Sequence, residues 1–130
     1  MGLEACAVVR LDPEGRVLWQ ENLDARYRAV AEYNGKIAAV ASGSKTASLD
    51  CVWFGADGGK LGTAERQVAE ADLPPYVDSG NMYMDAEKLV PMKDGLWALI
   101  NFWENDDPDE KEPEPAWTQQ DCALVRVPEP

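Results

Sequence analysis

The chain has 130 residues, 12 basic against 24 acidic side chains, 45% apolar residues and no histidine. This length suits one modest domain, and a net charge of −12 argues against nucleic acids and membrane surfaces as partners. The missing histidine excludes Ser-His and Cys-His nucleophile pairs and the imidazole ligands of most catalytic zinc sites. No apolar run approaches the ~20 residues that span a bilayer, and the acidic N-terminal segment does not read as a secretory signal.

The three cysteines each lie near the start of a predicted strand. In residues 6–19 an apolar strand runs to Asp12, turns through Gly15 and leaves on a basic residue, which is typical of a β-hairpin. Residues 51–61 repeat the pattern with a turn that we expect to be one residue shorter, and residues 121–128 repeat its opening. An odd number of cysteines without a CxxC pair fits neither a disulfide framework nor a zinc site, so we expect half-buried thiols.

A second kind of segment alternates with the first. Residues 33–41 and 92–100 each place two turn residues, Asn34-Gly35 and Asp94-Gly95, between apolar runs. Both dipeptides predict type I′ turns, in which the two central residues have positive φ. Two hairpins thus recur together about every 45 residues, which is the length of a propeller blade.

Residues 11–19 resemble a bacterial β-propeller repeat of the pattern Leu-Asp-x-x-Gly-x-x-x-Trp, and residues 50–54 are similar to the opening of that repeat. The second copy departs from the pattern at Thr63 and the third at Pro128. The resemblance, to WD-like and quinoprotein-like (PQQ-like) repeats, covers residues 4–65 and, more loosely, 86–128. It implies four-stranded antiparallel blades and an extracellular or envelope scaffold.

We therefore expect an all-β chain of about nine strands and about two blades. The single unit 1–130 divides into a partial blade at 1–25, a complete blade at 26–70 and a partial blade at 71–130 that carries an acidic loop at 104–115. Two blades cannot close a ring, so further blades or other copies should cover the open ends. The alternative is a self-contained β-sandwich, in which the first and last strands pair within one chain.

Two segments interrupt the repeat. Within the inserted residues 66–76, residues 68–71 predict a helical turn that ends before Pro74-Pro75, with Tyr76 as a candidate binding residue and a further turn at 78–81. The loop 104–115 carries seven acids and one lysine, with candidate calcium ligands at Asp106, Asp107, Asp109 and Glu110. Their spacing is not that of an EF-hand, so we expect a solvated loop and no metal or other cofactor.

Trp103 and Trp117 flank the acidic loop and are candidate residues for stacking on a sugar or a cation. With no catalytic constellation in the sequence, we expect a non-catalytic scaffold or binding module that engages proteins or other copies of itself, with a small molecule or glycan as a further candidate ligand. The alternatives are part of a propeller enzyme, either a quinoprotein-like oxidoreductase or a sugar-cleaving enzyme, and a β-sandwich interaction domain. No residue pattern specifies the compartment.

Overall fold

The structure is a computed structural model, and it describes residues 5–24, 26–42, 47–74, 82–104 and 120–130. Across these residues the chain forms nine β-strands, one short 3₁₀ turn and no α-helix. Neighbouring strands are antiparallel throughout. The predictions of an all-β fold and of antiparallel sheets are confirmed.

The strands form three sheets of two, four and three strands, in which each strand pairs with the next one along the chain. Their bounds are β1 Ala5–Leu11 and β2 Val17–Asp24 in the first sheet, β3 Tyr27–Tyr33, β4 Lys36–Ser42, β5 Ser48–Phe54 and β6 Lys60–Gln67 in the second, and β7 Met82–Met92, β8 Gly95–Glu104 and β9 Gln120–Arg126 in the third. Since β1 pairs with β2 and β9 with β8, the described strands lack the pairing of first and last strands that a β-sandwich predicts. The helical turn expected before Pro74-Pro75 is confirmed as a 3₁₀ turn over Glu70–Asp72.

The turn between β3 and β4 has the predicted type I′ form. Tyr33 pairs with Lys36, which leaves Asn34 and Gly35 as the two loop residues. Their φ angles are 51° and 75°, so both central positions are left-handed, as that turn requires. Asparagine and glycine tolerate this conformation best, which is why the dipeptide predicts the hairpin correctly.

The prediction for Asp94-Gly95 is wrong in register. Met92 pairs with Gly95, so the loop consists of Lys93 and Asp94, neither of which has a positive φ. Gly95 instead begins β8, and a Cβ added there would lie 2.8 Å from Nε of Arg126. The glycine therefore makes room for a neighbouring guanidinium, which also donates a hydrogen bond to the Asp94 carbonyl.

The β1–β2 and β5–β6 turns have equal length, contrary to the prediction that the second is one residue shorter. Leu11 pairs with Val17 and Phe54 with Lys60, so each loop has five residues. The same two hydrogen bonds close both loops. The first loop residue donates its N–H to the carbonyl of the fifth, at 2.9 and 2.8 Å, and its own carbonyl accepts the N–H of the glycine in fourth place, at 2.9 and 3.0 Å. Each hairpin also has a β-bulge beside the turn.

The error in turn length comes from aligning the two acidic residues of these loops. Asp12, the first residue of its loop, accepts the Arg16 N–H at 2.8 Å through its carboxylate. Asp57 accepts the equivalent Gly59 N–H at 3.0 Å, although it is the third residue of its loop. A carboxylate thus caps the same backbone group from two different places, and the residue type does not mark the register.

The strand register also shifts the alignment of the cysteines. When the five-residue turns are aligned, β1–β2 is equivalent to β5–β6, and Cys6 occupies the position of Leu49. When the two-residue turns are aligned, β7–β8 is equivalent to β3–β4. The cross-strand pairs then show that Cys122 also occupies the position of Leu49. Cys51 lies two residues further along, so the repeat is real but its cysteines do not all occupy one position.

The second sheet is buried on both faces. Because side chains alternate along a strand, it presents two sets of apolar residues. We call one face the front, formed by Ala38, Val40, Leu49, Cys51 and Trp53, and the other the back, formed by Ile37, Ala39, Val52 and Phe54. Because the turns are equivalent, the strands of the first and third sheets can be matched to strands of the second. We use the same two names for the matching faces of those sheets.

The three sheets stack in chain order, and each packs its front face on the back face of the next. From the first sheet, Val8, Trp19 and Leu23 pack on the back of the second sheet. The front of the second sheet packs on side chains of the third that correspond to its own back face, including Leu96, Ala98, Ile100 and Val125. Burial of each large side chain contributes about 1.5–3 kcal/mol, so these layers hold the stack together.

The polypeptide after β9 completes the contact between the second and third sheets. The Trp53 indole N–H donates to the Pro128 carbonyl at 2.8 Å, and the Cys51 thiol donates to the same oxygen at 3.0 Å. Val127 donates its N–H to the Leu96 carbonyl at 2.8 Å. These bonds satisfy polar groups inside an apolar layer, where an unpaired group would be strongly unfavourable.

Candidate functional site: two uncovered sheet faces

Two sheet faces, one at each end of the stack, are not covered by any of the described residues. The first end face is the back of the first sheet, formed by Ala7, Val9, Leu11, Gln20 and Asn22. The second end face is the front of the third sheet, formed by Tyr83, Asp85, Lys88, Val90, Trp97, Leu99, Asn101, Trp103, Cys122, Leu124 and Arg126. We assign these residues by strand alternation from those that pack inward.

Apolar side chains on the end faces correspond to core side chains of the second sheet. Val9 is 42% exposed and its equivalent Val52 is 2% exposed. Leu124 is 46% exposed and its equivalent Cys51 is fully buried. The end faces therefore expose to solvent the same positions that another sheet covers in the middle of the stack. Exposed apolar faces of this kind mark interaction surfaces.

A groove of about 660 Å³ runs beside the first end face. Residues 7–11 of β1 line one side, and Val30, Ala31 and Glu32 of β3 line the other. The strand equivalent to β1 in the second sheet, β5, has β4 on the corresponding edge, whereas that edge of β1 has no partner among the described strands. An open strand edge above an apolar floor is the geometry to which another strand can add.

On the second end face, Trp103 is the predicted site residue that the structure describes. Its ring stacks on that of Tyr83, with 5.8 Å between the centroids and 14° between the planes. The two residues face each other on β7 and β8, and Leu99 pairs with Leu124 further along the sheet. This arrangement gives a broad aromatic and aliphatic surface with few charges.

The other predicted site residues cannot be placed. Trp117, Tyr76 and the four candidate calcium ligands Asp106, Asp107, Asp109 and Glu110 lie outside the described residues, as does the turn predicted at 78–81. Within the described part of the chain, no three Cys, Asp or Glu side chains lie close enough together to hold a metal ion. The predicted site residues other than Trp103 therefore stay predictions from the sequence.

The cysteines differ in environment, whereas the sequence predicted three half-buried thiols. Cys6 is half-buried, Cys51 is buried and Cys122 is exposed on the second end face. Burial raises the pKa of the Cys51 thiol to about 11, opposed in part by its hydrogen bond with Trp53. A thiol that stays protonated is a poor nucleophile, so Cys51 serves packing.

Asp85 is a partly buried carboxylic acid on the second end face. Burial raises its pKa, and the nearby Arg28 guanidinium opposes the shift. Its neighbour across the strand pair is Asn101, which is uncharged. Desolvation of the carboxylate, together with repulsion from the nearby Glu87 carboxylate, therefore outweighs the attraction of Arg28 and raises the pKa of Asp85.

A polar cleft of about 380 Å³ lies where the third sheet meets the second. Its charged lining residues are Arg66, Arg126, Asp94 and Glu129. Two positive and two negative groups cancel in formal charge, and Arg126 already donates to the Asp94 carbonyl. The cleft is therefore selective for neither anions nor cations.

The two end faces were not identified from the sequence, although a signal for them was present. We expected open ends to need covering, but the residue singled out was Trp103, for stacking on small ligands. Val9, Tyr83 and Leu124 were not named. The signal is that both alternating sets of side chains are mostly apolar along β1 and β8, a pattern typical of strands buried on two sides.

Comparison with known proteins found no matching family model, no matching curated protein and no matching solved structure. No helix among the described residues is long and apolar enough to cross a membrane. The two end faces are therefore the features of this chain that bear on its function.

Proposed function

We propose that the protein is a non-catalytic binding scaffold built from propeller-like blades, and that it works by covering its two end faces with further sheets of the same kind. The observation that carries this proposal is the match between exposed Val9 and Leu124 and their buried equivalents in the second sheet. Residues that fit the interior of a stack are expected to be covered in the working protein.

The order of packing supports the propeller-like part of the proposal. Successive blades of a propeller are four-stranded sheets that face their neighbours in chain order. Here a four-stranded sheet lies between two smaller ones, and the same face points forward at both contacts. The first sheet matches the last two strands of the complete sheet, and the third matches its first three.

The proposed partner class is protein. Among the strand positions whose side chains the structure describes, the first end face carries no charged residue, and its polar members Gln20 and Asn22 hydrogen bond to each other at 3.2 Å. The second end face offers the Tyr83–Trp103 stack beside aliphatic residues. Surfaces dominated by aromatic and aliphatic side chains are typical of protein interface cores.

The test is the dependence of thermal stability on protein concentration. A scaffold whose end faces associate is stabilised by mass action, so its Tm should rise by several degrees between about 2 and 200 µM. Leu124→Glu, which puts a charge on the second end face, should reduce that rise. A Tm independent of concentration for the unmodified chain would overturn the proposal.

A further inference from the structure

We propose that copies of this chain assemble head to tail, with the second end face of one copy packed on the first end face of the next. This inference rests on the proposed function and specifies its partner, a second copy, and the way that copy is oriented.

The orientation follows from the kinds of face that are free. Both contacts within the chain place a front face on a back face. The stack ends in one free back face on the first sheet and one free front face on the third. A two-fold dimer would have to join two fronts or two backs, whereas head-to-tail packing repeats the contact that the chain already makes twice.

The equivalent positions show which side chains would meet. Between the second and third sheets, Cys51 of the front and Val125 of the back lie in one core cluster. Leu124 is the equivalent of Cys51, and Val9 and Val125 are both equivalents of Val52. Leu124 of one copy should therefore lie near Val9 of the next.

Polar complementarity does not oppose this contact. Each internal contact includes a front-face side chain that donates to a backbone carbonyl of the next sheet. Trp19 donates to Ala56 at 3.0 Å, and Trp53 donates to Pro128 at 2.8 Å. At those of its strand positions whose side chains the structure describes, the first end face adds no carboxylate or cation, so apolar residues packed against these positions bury no unpaired charge of that face.

A head-to-tail contact has a consequence for assembly. Each copy has one donor face and one acceptor face, so copies form a closed ring when the rotation between them closes and an open filament when it does not. Two strands offer only a small contact area on the first end face. Ring closure, which gives every copy two contacts, should therefore favour one discrete species.

The experiment uses two charge substitutions that block opposite ends. Val9→Glu blocks the first end face and leaves the second intact, whereas Leu124→Glu does the reverse. The matched control is Leu61→Glu on the edge strand β6, because Leu61 is 51% exposed and belongs to neither end face. Light scattering after size-exclusion chromatography gives the absolute mass, and circular dichroism checks that each variant is folded.

The unmodified chain and Leu61→Glu should have the mass of several copies. Val9→Glu alone and Leu124→Glu alone should each have the mass of one copy, with apparent association weakened at least tenfold. An equimolar mixture of the two should have the mass of two copies, because each blocked variant still carries the face that the other needs. This recovery on mixing distinguishes head-to-tail packing from a two-fold contact.

A mixture that stays at the mass of one copy would overturn the head-to-tail arrangement, as would an unmodified chain that is always a single copy. If either glutamate variant fails to fold, Val9→Gln and Leu124→Gln provide the same test without a charge. A Tm that rises with concentration while the mixture stays monomeric would leave the proposed scaffold standing and reject the head-to-tail contact. A constant Tm would reject both.

Discussion

Replacing Gly58 by alanine tests the packing of the first sheet on the second. Gly58 has a φ of +89°, and an added Cβ would lie 2.8 Å from two ring atoms of Trp19 and 3.2 Å from its Cβ. The Trp19 ring cannot easily move away, because its N–H donates to the Ala56 carbonyl at 3.0 Å and its centroid lies 6.0 Å from that of Phe54. Gly15, at the equivalent place in the other five-residue turn, has a φ of +86° and no atom within 4 Å of an added Cβ.

The two glycines therefore share one penalty and differ in the other. A residue with a Cβ in left-handed backbone costs about 1–2 kcal/mol, and this applies to both turns. Overpacking against a fixed side chain adds about 1–3 kcal/mol at Gly58 alone. We expect Gly15→Ala to lower the free energy of unfolding by about 1–2 kcal/mol and Gly58→Ala to lower it by about 2–5 kcal/mol.

Urea unfolding followed by circular dichroism measures both changes, at a protein concentration low enough to keep the chain as a single copy. In a Trp19→Ala background the ring is absent, so the two glycine substitutions should cost the same within about 0.5 kcal/mol. If Gly15→Ala and Gly58→Ala lower the free energy of unfolding equally with Trp19 present, the first sheet does not pack on the second as described. The front-to-back order would then lack the contact between these two sheets.

Three further predictions concern single groups. Trp53→Phe removes the indole donor to the Pro128 carbonyl, so urea unfolding should show a loss of about 1–3 kcal/mol, and a loss below about 0.5 kcal/mol would contradict the buried bond. Because the pKa of folded Cys51 is raised to about 11, the neutral thiol stabilises the fold fully below pH 9. The free energy of unfolding should fall by about 2 kcal/mol on going to pH 11, and Cys51→Ala should lack this fall. Because the pKa of Asp85 is raised in the folded state, its ionised carboxylate is unfavourable in the fold at pH 7, and this cost is absent at low pH. Asp85→Asn should therefore raise Tm at pH 7 and have little effect near pH 3. A lower Tm at pH 7 would contradict the direction of the shift.

Much of the local structure was predictable because local chemistry determines it. Asn34-Gly35 predicts its turn because both residues tolerate left-handed backbone, and the alternation of apolar residues predicts the strands on either side. The all-β fold and the recurrence of hairpins follow from such signals alone.

The register was less predictable because it depends on contacts between distant residues. Gly95 resembles a turn residue, yet Arg126 lies against it from another strand and the glycine begins β8. Asp12 and Asp57 look equivalent in sequence but occupy different places in their loops. Cysteine spacing failed for the same reason, since Cys51 is two residues from the position that Cys6 occupies in its hairpin.

The candidate site was the least predictable part. Whether an apolar strand is covered on one face or on two depends on how many sheets stack, and the alternation along a strand shows which faces are apolar but not what covers each of them. Val9 and Val52 are the same residue type at equivalent positions, and only the stacking makes one exposed and the other buried.

The most direct test of the stacked scaffold is the absolute mass of the 130-residue chain in solution, measured by light scattering at several concentrations. The account predicts a discrete species of several copies that dissociates on dilution, with its two end faces buried in the assembled form. A chain that keeps the mass of one copy up to several hundred micromolar would contradict it, because the two apolar end faces would then remain exposed to water.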